Sequence, residues 1–286
     1  MTFGDSLRET RNSFGPLCVG IDPHEHLLRA WDLEVSARGV REFGLRTVAA
    51  SAGRVGVVKP QVSFFERFGS AGFQALEAVM AAARDAGLLV IADAKRGDIG
   101  TTMDGYTAAW LSPGSPLEAD AVTVSPYLGA GSLQATFAFA LQHGKGVFVL
   151  AATSNPEGRV LQRAVPHAGE GHAGSVAAEV VETVSAWTRT AEPDAALSSV
   201  GFVIGATVDR ADAGLPARLS PAAPILAPGF GAQGAEPRDL ARLFGPDAHA
   251  VIASESRSIL SAGPDPVALA ARIDERRALY SEDQHG

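Results

Sequence analysis

The chain has one cysteine in 286 residues, so no internal disulfide can form, which fits a reducing compartment. It has no excess of positive charge: 24 Lys and Arg stand against 32 Asp and Glu, a net charge of −8. Nucleic acid as the main partner needs a basic surface and is disfavoured on that balance, whereas a local basic pocket for a small phosphate ester is not. Aromatic residues are sparse, and Trp31, Trp110 and Trp187 are expected in packing rather than as stacking platforms. The first ten residues, MTFGDSLRET, carry charges of both signs and no apolar core, so no secretory signal is expected. Residues 121–144 are uncharged and long enough to span a bilayer. Pro126, the glycines and the hydroxyl and amide side chains there read instead as strand, loop and short helix. No membrane partner and a cytoplasmic setting are therefore expected. What the chain does have is an apolar content of 46%, which excludes wholesale disorder.

Short apolar, β-branched runs recur at 17–22, 55–65, 88–95, 121–125, 147–153, 201–207, 224–230 and 249–254. Each is nearly continuous in apolar character, as strands buried on both faces of a parallel sheet are. Amphipathic stretches lie between them. Val40, Phe43, Thr47 and Val48 fall at helical spacing, as do Phe73, Leu76, Met80 and Ala83, then Val181, Val184 and Thr188, and finally residues 267–273. Eight such units in about 250 residues are the signature of an α/β fold, the (β/α)8 TIM barrel. A doubly wound open sheet is the rival. It usually has fewer strands and a Gly-rich nucleotide loop after the first, whereas this first strand ends in GIDP. No composition shift marks a second domain. One barrel domain over 1–286 is expected, with an insertion at about 154–174 after the fifth strand and a frayed tail, SEDQHG.

Barrel active sites lie at the C-terminal ends of the strands. Reading there collects Asp22, Lys59, Asp93, Lys95, Ser125, Ser154, Thr207, Gln233 and Arg257. A charge inside a buried run is costly unless paired. Lys59 sits in VGVVKPQVSFF, and Asp93 and Lys95 sit in LLVIADAKRGD. Being two apart, Asp93 and Lys95 are expected on the same side of their strand, facing the mouth. A structural ion pair closing the barrel would explain one such pair; two lysines and two aspartates point to chemistry. A lysine flanked by carboxylates keeps its proton, so Lys95 reads as a proton donor or carbanion stabiliser rather than a Schiff-base nucleophile. Asp98 lies beyond the strand end, need not serve the same site, and could reach an adjoining subunit.

The end of the chain offers a phosphate site. APGFGAQGAEP follows the seventh strand, and SESRSIL, with Arg257, follows the eighth. Loops in those two places are the usual barrel phosphate site, and Arg257 adds a bidentate donor. Tight turns and a solvated arginine are the plainer explanation of the same residues. Cys18 is expected as an inert core thiol. His24 and His26 share a loop without a third ligand, so no metal site is expected; His167 and His172 fall in the insertion.

The run DAKRGDIGTT (93–102) resembles the Asp-x-Lys-x-x-Asp signature of the orotidine 5′-phosphate decarboxylase family. CVGIDP, VKPQVSFFE, TSNPEG, APGFGAQG and SESRSIL stand in the family's order over most of the chain, nearest its longer bacterial branch. The resemblance implies decarboxylation of orotidine 5′-monophosphate to UMP and CO2, the last step of de novo pyrimidine nucleotide synthesis, with no metal or organic cofactor. It implies that Lys59, Asp93, Lys95 and Asp98 form an alternating charged catalytic network in which Lys95 stabilises and protonates the carbanion. It further implies that Asp22 binds the ribose, Ser154 the pyrimidine, and Gln233 and Arg257 the phosphate. The enzyme would be a homodimer, with Asp98 and Thr102 reaching the partner's site and Thr102 contacting the ribose there. Related sugar-phosphate decarboxylases and aldolase-like barrels share Asp-x-Lys-x-x-Asp alone. Two alternatives therefore stay open: a metal-dependent decarboxylase or aldolase of an open-chain sugar phosphate, and a non-catalytic nucleotide-binding barrel.

Overall fold

The computed structural model describes residues 1–166 and 174–280; His167, His172, part of the expected insertion and the tail SEDQHG lie outside the described residues. Eight strands run in parallel: β1 (Leu17–Ile21), β2 (Val57–Pro60), β3 (Leu89–Arg96), β4 (Ala121–Val124), β5 (Gly146–Ala152), β6 (Val200–Ile204), β7 (Ile225–Pro228) and β8 (Val251–Glu255). They pair in sequence order, and β8 closes on β1, so the sheet is the expected barrel and not an open sheet. The first helices are α1 (Phe3–Phe14), α2 (Glu25–Ala30), α3 (Ala37–Ser51), α4 (Ser63–Glu66), α5 (Gly69–Asp85) and α6 (Gly100–Leu111). They are followed by α7 (Gln134–Gln142), α8 (Gly158–Gln162), α9 (Val176–Ala191), α10 (Leu240–Phe244), α11 (Arg257–Leu260) and α12 (Pro266–Leu279).

The second apolar run departs most from expectation. Of residues 55–65 only Val57–Pro60 is strand; the chain then turns into α4, which buries Phe65. Apolar continuity cannot separate a strand from a helical turn that is buried as fully. The apolar stripes of α3 and α5 do face the core: Val40, Phe43, Thr47 and Val48 on one, Leu76, Met80 and Ala83 on the other. Residues 121–144 are β4, a 3-10 turn at Ala130–Leu133, and α7. No helix among the described residues is long and apolar enough to cross a membrane.

Each strand sends one residue to a layer inside the barrel: Cys18, Val57, Ile91, Ala121, Phe148, Val203, Leu226 and Ile252. Phe3 and Leu7 of α1 join this layer and cork the N-terminal end. The cork is held in place by a cap, since Thr2 Oγ1 accepts from Asp5 N at 3.1 Å. Phe3 meets Phe148 edge-on, with ring centroids 6.0 Å apart; burying each ring is worth about 1.5–3 kcal/mol. Strand side chains alternate, so residues two further on point to the same interior one layer higher. That layer holds Lys59, Asp93, Thr123, Leu150, Pro228 and Ser254. The alternation that packs the core thus delivers two charged groups to the barrel mouth.

Candidate active site

A cavity of about 420 Å³ opens over this upper layer, within the usual range for small-molecule sites. Of the expected residues, Asp22, Lys59, Asp93, Lys95, Gln233 and Arg257 line it. Lys59 is 5% exposed. Its Nζ lies 3.0 Å from Asp93 Oδ2 and 4.0 Å from Asp22 Oδ1. Burial alone would lower its pKa, but Asp93 and then Asp22 hold it above the ordinary lysine value.

Asp93 is the hub. Its Oδ1 lies 2.5 Å from Lys95 Nζ and accepts the Thr123 hydroxyl at 3.0 Å. With its amide nitrogen turned toward Asp93, Gln61 donates to Oδ2 at 3.2 Å and to the backbone oxygen at 2.6 Å. Burial pushes the Asp93 pKa up, but Lys59 and Lys95 outweigh it and hold the carboxyl well below the usual range.

Asp93 and Lys95 do not come together by plain strand alternation. The β3–β4 register shifts between Ala92 and Arg96, and Lys95 has φ +50°. The bulge and the left-handed residue re-aim the lysine, as bulges beside active sites do. Thr123 stabilises the distortion, because its Oγ1 accepts from Lys95 N at 2.9 Å while donating to Asp93.

Gln233 and Arg257 mark the other end. Gln233 rides on the loop after β7, which folds on itself: Gly231 N donates to Ala235 O at 2.8 Å, and Phe230 bridges Ala235. Gly231 has φ +69°, a conformation that glycine adopts without strain. Arg257 begins α11 after β8 and is exposed.

Five expected residues, Asp98, Thr102, Ser125, Ser154 and Thr207, lie outside the cavity. Ser154 is exposed and lines a smaller neighbouring cavity of about 100 Å³ with Thr207; its neighbour Thr153 lines both. Asp98 is half-buried, its Oδ1 accepting from Ile99 N at 2.9 Å, and Thr102 is on the exposed face of α6.

Sequence reasoning missed Gln61, His24, Ser254, Ser256 and Thr123. Gln61 is two past Lys59, so alternation along the strand signals it, whereas Thr123 reads as an ordinary strand residue. The sequence draws attention to His24 only as half of a histidine pair too small for a metal site; it stacks on His26 at 5.3 Å and meets Phe64 at 4.4 Å. Burial lowers its pKa, opposed by Asp22. Cys18 is fully buried, and burial pushes its thiol up to about 12. Among the described residues no group of three His, Cys, Asp or Glu could hold a metal ion.

Chemically, a carboxylate sits between two ammonium groups. Lys59 is sealed in and fixes Asp93, whereas the Lys95 side chain is 43% exposed. Lys95 can therefore meet charge that develops on a bound molecule and pass it a proton.

Comparison with known proteins identifies the lineage. The model of the orotidine 5′-phosphate decarboxylase / HUMPS family matches residues 15–273. An orotidine 5′-phosphate decarboxylase of Corynebacterium efficiens is 48% identical over 279 residues, covering 98% of this chain and 97% of the relative. A crystal structure from Streptomyces avermitilis, assigned to the same activity, superposes with a TM-score of 0.92 at 45% identity, over 100% of this chain and 96% of that one. The Leishmania donovani OMP decarboxylase gives 0.74 at 29% identity, over 98% and 100% of the two chains. The chain belongs to the orotidine 5′-phosphate decarboxylase / HUMPS family.

Proposed function

We propose that the charged row at the barrel mouth catalyses the loss of CO2 from orotidine 5′-monophosphate to give UMP, the last step of de novo pyrimidine synthesis. One observation carries the residue roles: Lys59, Asp93 and Lys95 alternate in charge at 3.0 and 2.5 Å on the floor of one cavity. Breaking the bond from the ring carbon to its carboxylate leaves an electron pair outside the π system. Preorganised positive charge must stabilise it, and Lys95 is the cation free to do so. The Lys95 ammonium then gives its proton to that carbon and is reprotonated from water. Asp93 keeps Lys95 aimed and crowds the departing carboxylate.

Asp22, whose Oδ1 is buried beside Lys59 but has no hydrogen-bond partner, takes the ribose hydroxyls. Gln233 and Arg257 take the phosphate. Ser154 takes the pyrimidine, from the loop after β5. The enzyme works as a homodimer in which Asp98 and Thr102 complete the partner's site. Ile99 (61% exposed), Tyr127 (77%) and Leu128 (51%) support this, as apolar groups left in solvent on α6's approach and on the loop after β4. The chain acts as one domain, and the buried, free Cys18 fits a cytoplasmic setting.

The test is an ultraviolet assay of the purified protein with orotidine 5′-monophosphate, with and without EDTA. Equal turnover in both is expected. Activity lost only with EDTA would favour a metal-dependent sugar-phosphate enzyme, and no absorbance change would favour a nucleotide-binding barrel without catalysis. The family relationship favours neither alternative.

A further inference from the structure

Glu255 is 1% exposed and turns away from the cavity, although its chain neighbours Ser254 and Ser256 line it. Arg276 of α12 grips its carboxylate with two nitrogens, Nε to Oε2 at 2.8 Å and Nη2 to Oε1 at 3.0 Å. The Tyr280 hydroxyl donates to Oε1 at 2.7 Å and the Ser258 hydroxyl to Oε2 at 2.6 Å. The loop after β7 rests on the same group. A Cβ added at Gly231 would stand 2.8 Å from Glu255 Oε2, and Phe230 packs edge-on against Tyr280 with centroids 5.8 Å apart. One buried carboxylate therefore joins the loop carrying Gln233, the loop carrying Arg257, and the last helix.

We propose that Glu255, Arg276 and Tyr280 are positioning residues for the phosphate end of the cavity, holding the loops after β7 and β8 in one register so that Gln233 and Arg257 meet a single phosphate monoester together. The inference rests on the phosphate assignment above. Gln233 and Arg257 are themselves exposed and need an external reference. The bidentate Arg276–Glu255 contact is geometrically strict and shielded from water. Burial and Glu255 push the Tyr280 phenol well above its ordinary pKa, so it stays a donor. None of the hydrogen bonds described for Asp93 and Lys95 involves this group. Its loss acts on binding of the phosphorylated nucleotide and not on the chemical step.

The experiment compares inhibition by UMP and by uridine, and kcat and KM for orotidine 5′-monophosphate, in Tyr280→Phe. Losing one hydrogen bond to a charged group weakens UMP and raises KM on the order of ten-fold. Uridine affinity and kcat should change by less than about two-fold. UMP and uridine weakened alike, or a lowered Tm with KM unchanged, would overturn the proposal. Arg276→Lys, which keeps the charge and loses the fork, gives the same readout if the first variant does not fold. Arg257→Ala separates the two assignments. If it leaves the preference for UMP over uridine intact, the phosphate assignment itself fails. If it abolishes that preference while Tyr280→Phe and Arg276→Lys do not reduce it, the positioning role alone fails.

Discussion

Lys95 Nζ lies 2.5 Å from Asp93 Oδ1 although the Lys95 backbone is left-handed, with φ +50°. A non-glycine residue held there costs on the order of 1 kcal/mol. The strain falls on the residue whose ammonium points into the cavity, and Thr123 secures both sides of it. The break in β3 is thus part of how the site is assembled.

Replacing Lys95 by Ala should reduce turnover by at least about a thousand-fold, since one group both stabilises the anion and donates the proton. UMP should still bind, because the phosphate end is untouched. Isothermal titration and the ultraviolet assay check the two halves; near-normal turnover would sink the mechanism.

The buried pair sets a pH window for stability. The folded-state pKa of Asp93 is depressed, so its contribution is full above the unfolded value of about 3.9 and is lost as pH falls toward the lower folded value. The folded-state pKa of Lys59 is raised, so its contribution is full below about 10.4 and is lost as pH climbs through the higher folded value. The pair's own contribution should be level between roughly pH 5 and 10, while urea midpoints also fall above about pH 8.5, where the Cys18 thiol ionises only when unfolded, and decline modestly below about pH 6.5 through His24. Asp93→Ala, which leaves Lys59 buried with Asp22 as its remaining partner, should cost about 3 kcal/mol within that level range and flatten the acid limb. An acid limb of unchanged steepness in the variant would count against the pairing.

Site sharing can be read by mixing inactive variants. Neither Lys95→Ala nor Asp98→Ala should turn over substrate alone. Co-refolded in equal amounts, they should regain about a quarter of the wild-type rate, since half the dimers are mixed and each of those has one intact site. No recovery from mixed dimers verified by gel filtration would leave Asp98 outside the partner's site.

Cys18 should ignore iodoacetamide at pH 8 in the native protein and react fully once unfolded in urea. It is buried, and its thiol is pushed up to about 12. Rapid native labelling, followed by mass spectrometry, would contradict its place in the inner layer.

The barrel was legible because strands buried on both faces leave unbroken apolar runs, and eight of them leave little choice of topology. The end of β2 was not, since Phe64 and Phe65 are as apolar in α4 as they would be in a strand. The charged floor was legible because Lys59 and Asp93 interrupt such runs, where a charge demands a partner. The way Lys95 reaches Asp93 was not. It depends on a bulge and a positive φ that no periodicity encodes, and on Thr123, which looks like an ordinary strand residue. Glu255 was hidden for the opposite reason: its partner Arg276 lies 21 positions away on another element.

The α1 cork has a kinetic consequence. Phe3 and Leu7 fill the floor beneath the inner layer, which makes the barrel a blind well with its opening at the charged end. Substrate, proton and both products share that doorway. The corked end offers no second exit, so whatever enters the well must leave past the charged row.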